Sequence, residues 1–173
     1  HQGTIGGNLV FADPKYDAPA AVLALDGTVV VRGPDGQRRV NADEWFRGSG
    51  ETAIEPDELV TELVVPDAAQ SGYVRKSAYS GYAVVSVAAA LKTDADRIES
   101  ARVAVNGARP HPIRLPEVEE TLVGELLGDS LRTRAAEAAL SDIDPESLLG
   151  DDEATGTHRR RLAVVSLDRG HHR

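Results

Sequence analysis

The sequence predicts an α+β fold, with short helices and strands in its first part and an antiparallel sheet packed with helices in its second. Apolar, β-rich runs over residues 83–92 and 98–106 surround a polar turn, which is typical of a β-hairpin. After Pro116 the apolar residues recur at helical spacing, which predicts that helices follow the sheet. The length of 173 residues suits one compact domain or two small ones packed together.

Short elements are predicted for the first domain, residues 1–66. The glycine-rich opening over residues 3–8 indicates a loop, followed by a short bridging segment. Asp17 and Pro19 are typical of a helix start, and we expect a short apolar helix that ends before Gly27. A hairpin is then predicted from Thr28–Arg32 and Gln37–Val40. One helical turn is predicted at Asp43–Phe46, and a strand at Glu58–Val65.

A domain boundary is predicted in the linker-like stretch Asp67–Gly72, and the second domain spans residues 71–173. In that domain, Pro112–Leu115 is a candidate third strand after the hairpin. Two apolar helical stripes follow: one consists of Val118, Leu122 and Leu126, and the other of Leu131, Ala135, Ala138 and Ala139. A capped helix start is predicted at Asp144–Pro145, and a last helix is predicted over His158–Leu167.

The composition excludes several kinds of site. The formal net charge is −9, from 19 basic and 28 acidic residues, so the attraction that nucleic-acid binding requires is lacking. The absence of cysteine rules out disulfides, thiolate metal sites and iron–sulfur ligation by this chain. The longest apolar runs are too short to cross a bilayer. An acidic, lysine-poor composition without a visible secretory signal leads us to expect a cytoplasmic protein.

Gly3, Gly6 and Gly7 form the strongest candidate for a ligand-binding segment. Glycines let backbone N–H groups approach a phosphate or a flavin ring without obstruction by side chains, and consecutive amides can bind an anion. Their spacing matches neither the phosphate loop nor the dinucleotide-binding fingerprint. From the residues alone, a tight structural turn is the alternative interpretation.

Residues 3–26, GTIGGNLVFADPKYDAPAAVLALD, resemble the flavin-binding subunit of molybdenum hydroxylases, the carbon monoxide dehydrogenase and xanthine dehydrogenase family. Similar segments continue along the rest of the chain, at Phe46–Gly48, Thr52–Leu59, Val64–Pro66, Ala83–Leu91, Ala101–Ala104 and Pro110–Arg114. The resemblance implies a partial PCMH-type FAD-binding domain followed by a C-terminal domain of the CO dehydrogenase flavoprotein type.

The resemblance also implies which residues bind FAD. Five consecutive residues would line its pyrophosphate and ring system: Thr4, Ile5, Gly6, Gly7 and Asn8. Asp17 would hydrogen-bond the cofactor, Lys76 would stabilise negative charge on reduced flavin, and Tyr82 would lie against the ring. The alternatives are structural: Asp17 as a helix N-cap, Lys76 as a solvated cation and Tyr82 as a half-buried strand residue.

Two departures from the family pattern affect these expectations. The family carries an arginine-containing stretch between the lysine and the aromatic position, whereas Ser77–Gly81 is uncharged here. The family also has a further N-terminal FAD subdomain, with its own glycine-rich phosphate loop, ahead of the position of Gly3. We therefore expect this chain to hold part of an FAD site and to bind FAD weakly or not at all on its own.

The function that the resemblance implies is electron transfer. A molybdopterin-binding large subunit would hold the molybdenum cofactor, a small subunit would hold [2Fe-2S] clusters, and FAD in this subunit would pass electrons to an external acceptor. This chain would supply no catalytic acid, base or nucleophile and no metal ligand. The alternative is a non-catalytic assembly or scaffold protein that keeps the fold but no longer binds FAD.

Three weaker patterns have structural interpretations. A cluster of acidic residues ahead of the last helix resembles a calcium loop, but Ser147 stands where that loop needs glycine. His158, His171 and His172 lack the spacing of metal ligands and indicate a flexible tail. The run Arg159–Arg161 is typical of a solvated helix face, with contact to an acidic partner subunit as the alternative.

Overall fold

The structure, a computed structural model, describes residues 3–67, 70–78 and 81–168. The elements before residue 67 are α1 (Ile5–Phe11), α2 (Ala18–Ala24), β1 (Thr28–Gly33), β2 (Gly36–Asn41), α3 (Ala42–Trp45), β3 (Phe46–Gly48), β4 (Glu51–Thr52) and β5 (Leu59–Val64). The later elements are β6 (Gln70–Ser77), β7 (Ala83–Asp94), β8 (Arg97–Asn106), β9 (Ile113–Arg114), α4 (Pro116–Leu122), α5 (Asp129–Asp142), a short 3-10 turn (Pro145–Ser147) and α6 (Gly156–Asp168).

Within the described residues, the strands form three antiparallel sheets, in the orders β2-β1-β5, β3-β4 and β6-β7-β8-β9. The predicted α+β class is confirmed, because helices and antiparallel sheets follow one another along the chain. No helix in the described ranges is both long enough and apolar enough to span a membrane.

The glycine-rich opening is mostly helical, so the loop predicted over residues 3–8 is wrong beyond Thr4. Thr4 caps α1, because its Oγ1 accepts a hydrogen bond from Gly7 N at 3.1 Å. Each glycine inside a helix costs about 1 kcal/mol relative to alanine. The cap and the complete burial of Leu9 offset that cost. α1 ends at Phe11, and the next residue, Ala12, turns the chain out of the helix with a φ of 47°.

The remaining elements predicted for the first part are confirmed, with bounds close to those expected. Val29, Val30 and Val31 are completely buried because β1 is the central strand of its sheet. Trp45 is also buried in this core, and its indole Nε1 donates a hydrogen bond to Leu9 O at 3.0 Å. This bond fixes α1 to the core of the first part.

The C-terminal sheet begins earlier than predicted. Residues 70–72 belong to the stretch predicted as a linker, but they lie in β6 and pair with residues 89–91 of β7. Serine and glycine have low β-propensity, and the pairing with β7 supplies the backbone hydrogen bonds that form the strand. The predicted hairpin of β7 and β8 is confirmed, with Ala95 and Asp96 both at positive φ in its turn.

The two parts of the chain pack on opposite faces of this sheet. Ala88 and Ala104 belong to the core that contains α2, whereas Val87 and Val103 belong to the core beneath α4, α5 and α6. Since side chains alternate between the faces of a strand, β7 and β8 separate the two cores. The small alanine side chains let α2 approach the sheet closely.

The helices after the sheet differ from the prediction at one place. α4 ends at Leu122, so the predicted extension to Leu126 is wrong. Gly124, with φ of 83°, turns the chain, and Leu126 forms an isolated bridge with Arg97 instead. The apolar stripe predicted for α5 is confirmed, and Asp144 caps the 3-10 turn. The solvated arginine face predicted for α6 is wrong at Arg159, because this side chain is completely buried.

Candidate functional site

An open cleft of about 560 Å³ lies where the first part of the chain meets the start of the C-terminal sheet. One wall is formed by the beginning of α1 and by residues 15–18 at the beginning of α2. The other wall is formed by Arg75 of β6 and by residues 81–83, which lead into β7. The cleft therefore exists because the two parts pack against each other.

Five of the residues predicted to bind FAD line this cleft: Thr4, Ile5, Asn8, Asp17 and Tyr82. Gly6 and Gly7 lie in α1 without lining it. A Cβ on Gly6 would lie 3.8 Å from the Val60 side chain. The backbone N–H of Gly7 donates the hydrogen bond by which Thr4 caps the helix. Both glycines thus contribute to the packing of α1, and their contact with a cofactor stays a prediction.

Asn8 has a buried acceptor without a partner. Its side-chain Oδ1 is inaccessible to solvent, yet it accepts no hydrogen bond from any described residue. Leaving such an atom unsatisfied costs about 1–3 kcal/mol, so a ligand donor at this wall is favoured. FAD carries N–H groups and sugar hydroxyls that can donate. The residues at this wall therefore fit the cofactor.

Asp17 does not cap α2, so that structural alternative is wrong. The residue stands at the N-cap position, but its side chain makes no capping hydrogen bond. Its Oδ1 accepts a hydrogen bond from Tyr73 OH at 2.7 Å, and its Oδ2 accepts one from Arg75 Nη1 at 3.0 Å. Burial raises the pKa of Tyr73 and the Asp17 contact raises it further, so the hydroxyl remains a donor. Asp17 therefore joins α2 to β6 at the cleft.

Arg75, and not Lys76, is the cation of β6 that lines the cleft. Tyr73 and Arg75 lie on the same face of the strand, because both reach Asp17. Lys76 is half-buried, pairs with Val85 in the strand register and does not line the cleft. Arg75 was not predicted as a site residue because β6 was not predicted, and two-residue periodicity along that strand is the signal that identifies it.

Lys15 is a second cation that lines the cleft, and it was not among the predicted site residues. Its Nζ lies 3.5 Å from Asp151 Oδ2 and 3.4 Å from Glu153 Oε2. Desolvation alone would lower the pKa of Lys15, but the two carboxylates outweigh it and the pKa is raised. Lys15 therefore stays positively charged and connects the cleft to the segment that precedes α6. No local motif marks it, since its acidic partners lie far away in the sequence.

Tyr82 stands at the rim of the cleft, with 56% of its surface exposed. It precedes β7, whose first residue, Ala83, is buried, so the alternative of a half-buried strand residue is wrong. An exposed aromatic side chain at a rim offers a flat apolar surface against which a ring system can stack. Residues 79 and 80 of the uncharged stretch before it lie outside the described residues.

No group of three or more metal-ligating side chains occurs within 3–67, 70–78 and 81–168. Two of the acidic residues that resemble a calcium loop accept backbone hydrogen bonds instead: Asp144 Oδ1 accepts one from Glu146 N at 2.9 Å, and Asp142 accepts one from Glu117 N and one from Val118 N, each at 3.2 Å. His171 and His172 lie outside the described residues.

Two family models match the sequence. The FAD binding domain in molybdopterin dehydrogenase matches residues 1–68. The CO dehydrogenase flavoprotein C-terminal domain matches residues 74–173. The two matched ranges contain the residues of both walls of the cleft.

The chain is also similar to subunits of oxidoreductases. It is 34% identical over 168 residues to the glyceraldehyde dehydrogenase medium chain of Sulfolobus acidocaldarius, which covers 95% of this chain and 59% of the relative. It is 32% identical over 171 residues to the nicotine 6-hydroxylase medium subunit of Paenarthrobacter nicotinovorans, covering 98% of this chain and 59% of the relative. The structure aligns with carbon monoxide dehydrogenase from Hydrogenophaga pseudoflava at a TM-score of 0.88 and 27% identity, over 98% of this chain and 59% of that one.

The chain thus spans 59% of the length of these relatives. The matches cover both parts of the fold and both walls of the cleft. The chain belongs to the family of FAD-binding medium chains of molybdenum hydroxylases of the carbon monoxide dehydrogenase and xanthine dehydrogenase type.

Proposed function

We propose that this chain is the flavin subunit of a molybdenum-containing hydroxylase or dehydrogenase, and that it passes electrons from the iron–sulfur clusters of a partner subunit through FAD to an external acceptor. The observation that carries the proposal is the cleft, which gathers five of the residues implied by the resemblance. The chain that forms it contains an FAD-binding domain.

In this proposal the polar side chains of the cleft hold and orient FAD. Asn8 lines the cleft, and a rotation of its side chain lets Oδ1, which has no partner among the described residues, accept a hydrogen bond from the cofactor. Tyr73 and Arg75 hold the carboxylate of Asp17 in place, each through one oxygen. Each carboxylate oxygen can accept a further hydrogen bond, so Asp17 is able to bind a cofactor hydroxyl.

Positive charge in the cleft favours an anionic cofactor. Arg75 and Lys15 both line it, and the FAD pyrophosphate is negatively charged. Tyr82 provides an aromatic surface at the rim. Lys76 is the cation at the next position of β6, and in this proposal it stabilises negative charge on reduced flavin. Separate substitution of Lys76 and of Arg75 distinguishes the contributions of the two cations.

Bound FAD supplies the redox chemistry. The described residues that line the cleft include neither histidine nor serine, and the sequence contains no cysteine. The proposal assigns binding, orientation and electrostatic tuning to this chain, and it places the hydroxylation reaction in the large subunit.

The proposed partners are a molybdopterin-binding large subunit and a small subunit with [2Fe-2S] clusters. Two observations support them. The relatives are named as a medium chain and a medium subunit. This chain has no cysteine with which to ligate a cluster. A cytoplasmic location is part of the proposal, because the acidic, lysine-poor composition favours it.

Co-purification with both partner subunits tests the proposal. Because [2Fe-2S] clusters absorb in the same range as flavin, FAD is measured after denaturation of the purified complex, by the fluorescence of the released flavin. We expect about one FAD per complex, and a complex that assembles but releases no flavin would contradict FAD binding. That outcome would favour the alternative of a non-catalytic scaffold protein.

A further inference from the structure

Arg159 of α6 is the largest charged side chain that the structure buries completely. Its guanidinium group contacts acceptors at the start of β7, directly after β8 and in the segment before α6. Nη1 donates to Val84 O and, at 3.2 Å, to Gly107 O, while Nη2 donates to Asp151 Oδ1 at 2.7 Å. The planar fork of arginine allows one side chain to hold these acceptors in a fixed arrangement.

The first connection leads to the C-terminal wall of the cleft. Val84 follows directly after Tyr82 and Ala83, both of which line that wall. The hydrogen bond from Arg159 to the Val84 carbonyl therefore fixes the backbone at the point where the wall enters β7.

The second connection leads to the opposite wall through two charges. Asp151 accepts from Arg159 with one oxygen, and its other oxygen lies 3.5 Å from Lys15 Nζ. Lys15 lines the cleft on the side of α2. Glu153 adds a second carboxylate, 3.4 Å from the same ammonium group. The formal charges of the four side chains sum to zero, since two are positive and two are negative: Arg159, Lys15, Asp151 and Glu153.

Gly107 provides a third contact at the same place. A Cβ at this position would lie 2.3 Å from Val84 O and 3.3 Å from Pro14 O. The backbones of both walls therefore meet at Gly107, next to the guanidinium group of Arg159.

We propose that Arg159 is a positioning residue that sets the separation of the two cleft walls through Val84 on one side and through Asp151 and Lys15 on the other. It acts through other residues and does not itself line the cleft. Its effect on FAD affinity rests on the proposed function, whereas its effect on the walls does not.

Arg160 is the matched control, because it is the adjacent arginine on the same helix. Its Nε donates to Ile143 O at 2.7 Å and its Nη2 donates to Leu140 O, so it fastens α6 to the end of α5. Arg160 has no contact with either wall of the cleft among its hydrogen bonds. Arg160→Met tests what the loss of an arginine from α6 does by stability alone.

The experiment measures hydrogen exchange and FAD dissociation on the complex with its partner subunits. In Arg159→Met we expect faster amide exchange both in residues 15–18 and in residues 82–85. We expect the FAD dissociation constant to rise by about tenfold, because a pre-organised site is lost. In Arg160→Met the melting temperature falls, while exchange at both walls and FAD affinity match the wild type.

Two further variants keep the proposal testable if Arg159→Met does not fold. Arg159→Lys keeps the charge without the fork and should not restore slow exchange at both walls. Lys15→Met, at a partly exposed position, should raise amide exchange in residues 15–18 and raise the FAD dissociation constant by about threefold.

Equal exchange at the walls in the Arg159 and Arg160 variants overturns the positioning role. Unchanged wall exchange in Lys15→Met overturns the connection through Asp151. If the wild-type complex lacks flavin while the expected exchange pattern appears, the proposed function fails and the positioning role stands. If flavin is bound but the exchange patterns do not differ, the positioning role alone fails.

Discussion

Tyr73 OH donates a hydrogen bond of 2.7 Å to Asp17 Oδ1 and so joins the first strand of the C-terminal sheet to the beginning of α2. Arg75 reaches the other oxygen of the same carboxylate at 3.0 Å. The two walls of the cleft are therefore fastened by side chains that come from one face of β6.

Tyr73→Phe removes the hydroxyl and keeps the ring. Because the lost hydrogen bond has a charged acceptor, we expect the free energy of unfolding to fall by about 1–2 kcal/mol, measured by urea denaturation. Tyr16→Phe is the control, since no hydrogen bond of its hydroxyl is found among the described residues. Equal stability of the two variants would contradict the role assigned to Tyr73.

Asn8→Ala should change stability and FAD affinity in opposite directions. It removes a buried acceptor that has no partner in the described part of the chain, so the protein without FAD should gain up to about 1 kcal/mol of stability. In the complex, the FAD dissociation constant should rise by about five- to tenfold, as one hydrogen bond is lost. Thermal unfolding and flavin fluorescence measure the two effects.

The control for Asn8 is Asn41→Ala. Asn41 is exposed at the end of β2 and accepts a hydrogen bond from Thr28 Oγ1 at 3.3 Å, outside the cleft. FAD affinity should be unaffected by this change. If Asn41→Ala lowered FAD affinity as much as Asn8→Ala does, the assignment of Asn8 to cofactor binding would be contradicted.

The chain alone should bind FAD much more weakly than the assembled complex does. The cleft is open, and Ile5 and Tyr82 on its walls are 52% and 56% exposed. An open wall excludes little water and pre-organises few contacts. Titration of the purified chain with FAD, followed by flavin fluorescence, measures this affinity. Tight stoichiometric binding by the chain alone would contradict the prediction.

Stability should decrease below about pH 4 because of Asp151. Partial burial opposes ionisation of Asp151, but the Arg159 hydrogen bond and the N–H groups of Ala154 and Glu153 prevail and lower its pKa to about 2. Its stabilising effect is thus complete above the unfolded pKa, 3.8, and disappears as the pH falls towards 2. The expected loss is about 1–2 kcal/mol after solvent screening.

Comparison with Asp151→Asn isolates this effect. Other carboxyl groups titrate in the same range, and burial raises the pKa of Asp142, which gives the opposite dependence on pH. Urea midpoints of both proteins are measured from pH 5 to pH 2. The difference between them should shrink as the pH falls, and a constant difference would refute the assignment to Asp151.

Gly107→Ala should be among the most destabilising single substitutions. The position has a φ of 85°, and the added Cβ would lie 2.3 Å from Val84 O. Strain and the backbone clash together should cost about 3 kcal/mol or more. Gly36→Ala separates the two causes, because Gly36 has a φ of 115° but no atom within 4 Å of the new Cβ. We expect about 1–2 kcal/mol there, measured by urea denaturation.

Local sequence signals predicted the elements whose causes are local. The turn residues 34–36 and the β-branched run that precedes them specify the β1–β2 hairpin, and Pro19 marks the first turn of α2. α1 was missed because its glycines oppose a helix, while its stabilising contacts, including Trp45, come from distant residues. β6 was missed because it depends on its pairing with β7.

The candidate site was predicted as far as the family motif extends. Thr4, Asn8 and Asp17 come together in the cleft, and strand parity makes Arg75 the residue of β6 that lines it, while the role of Lys76 stays a prediction. Arg159 was missed for a different reason. A run of three arginines is typical of a solvated face, and only the folded chain brings carbonyl groups and a carboxylate to one of them.

The only tryptophan of the sequence is Trp45, and its indole group bonds to the backbone of the helix that bears Asn8. Its emission spectrum is therefore an intrinsic optical probe of that helix, without any attached label. Quenching of this emission by energy transfer to a yellow chromophore would reveal cofactor uptake directly, and a red shift would report the helix leaving the protein interior.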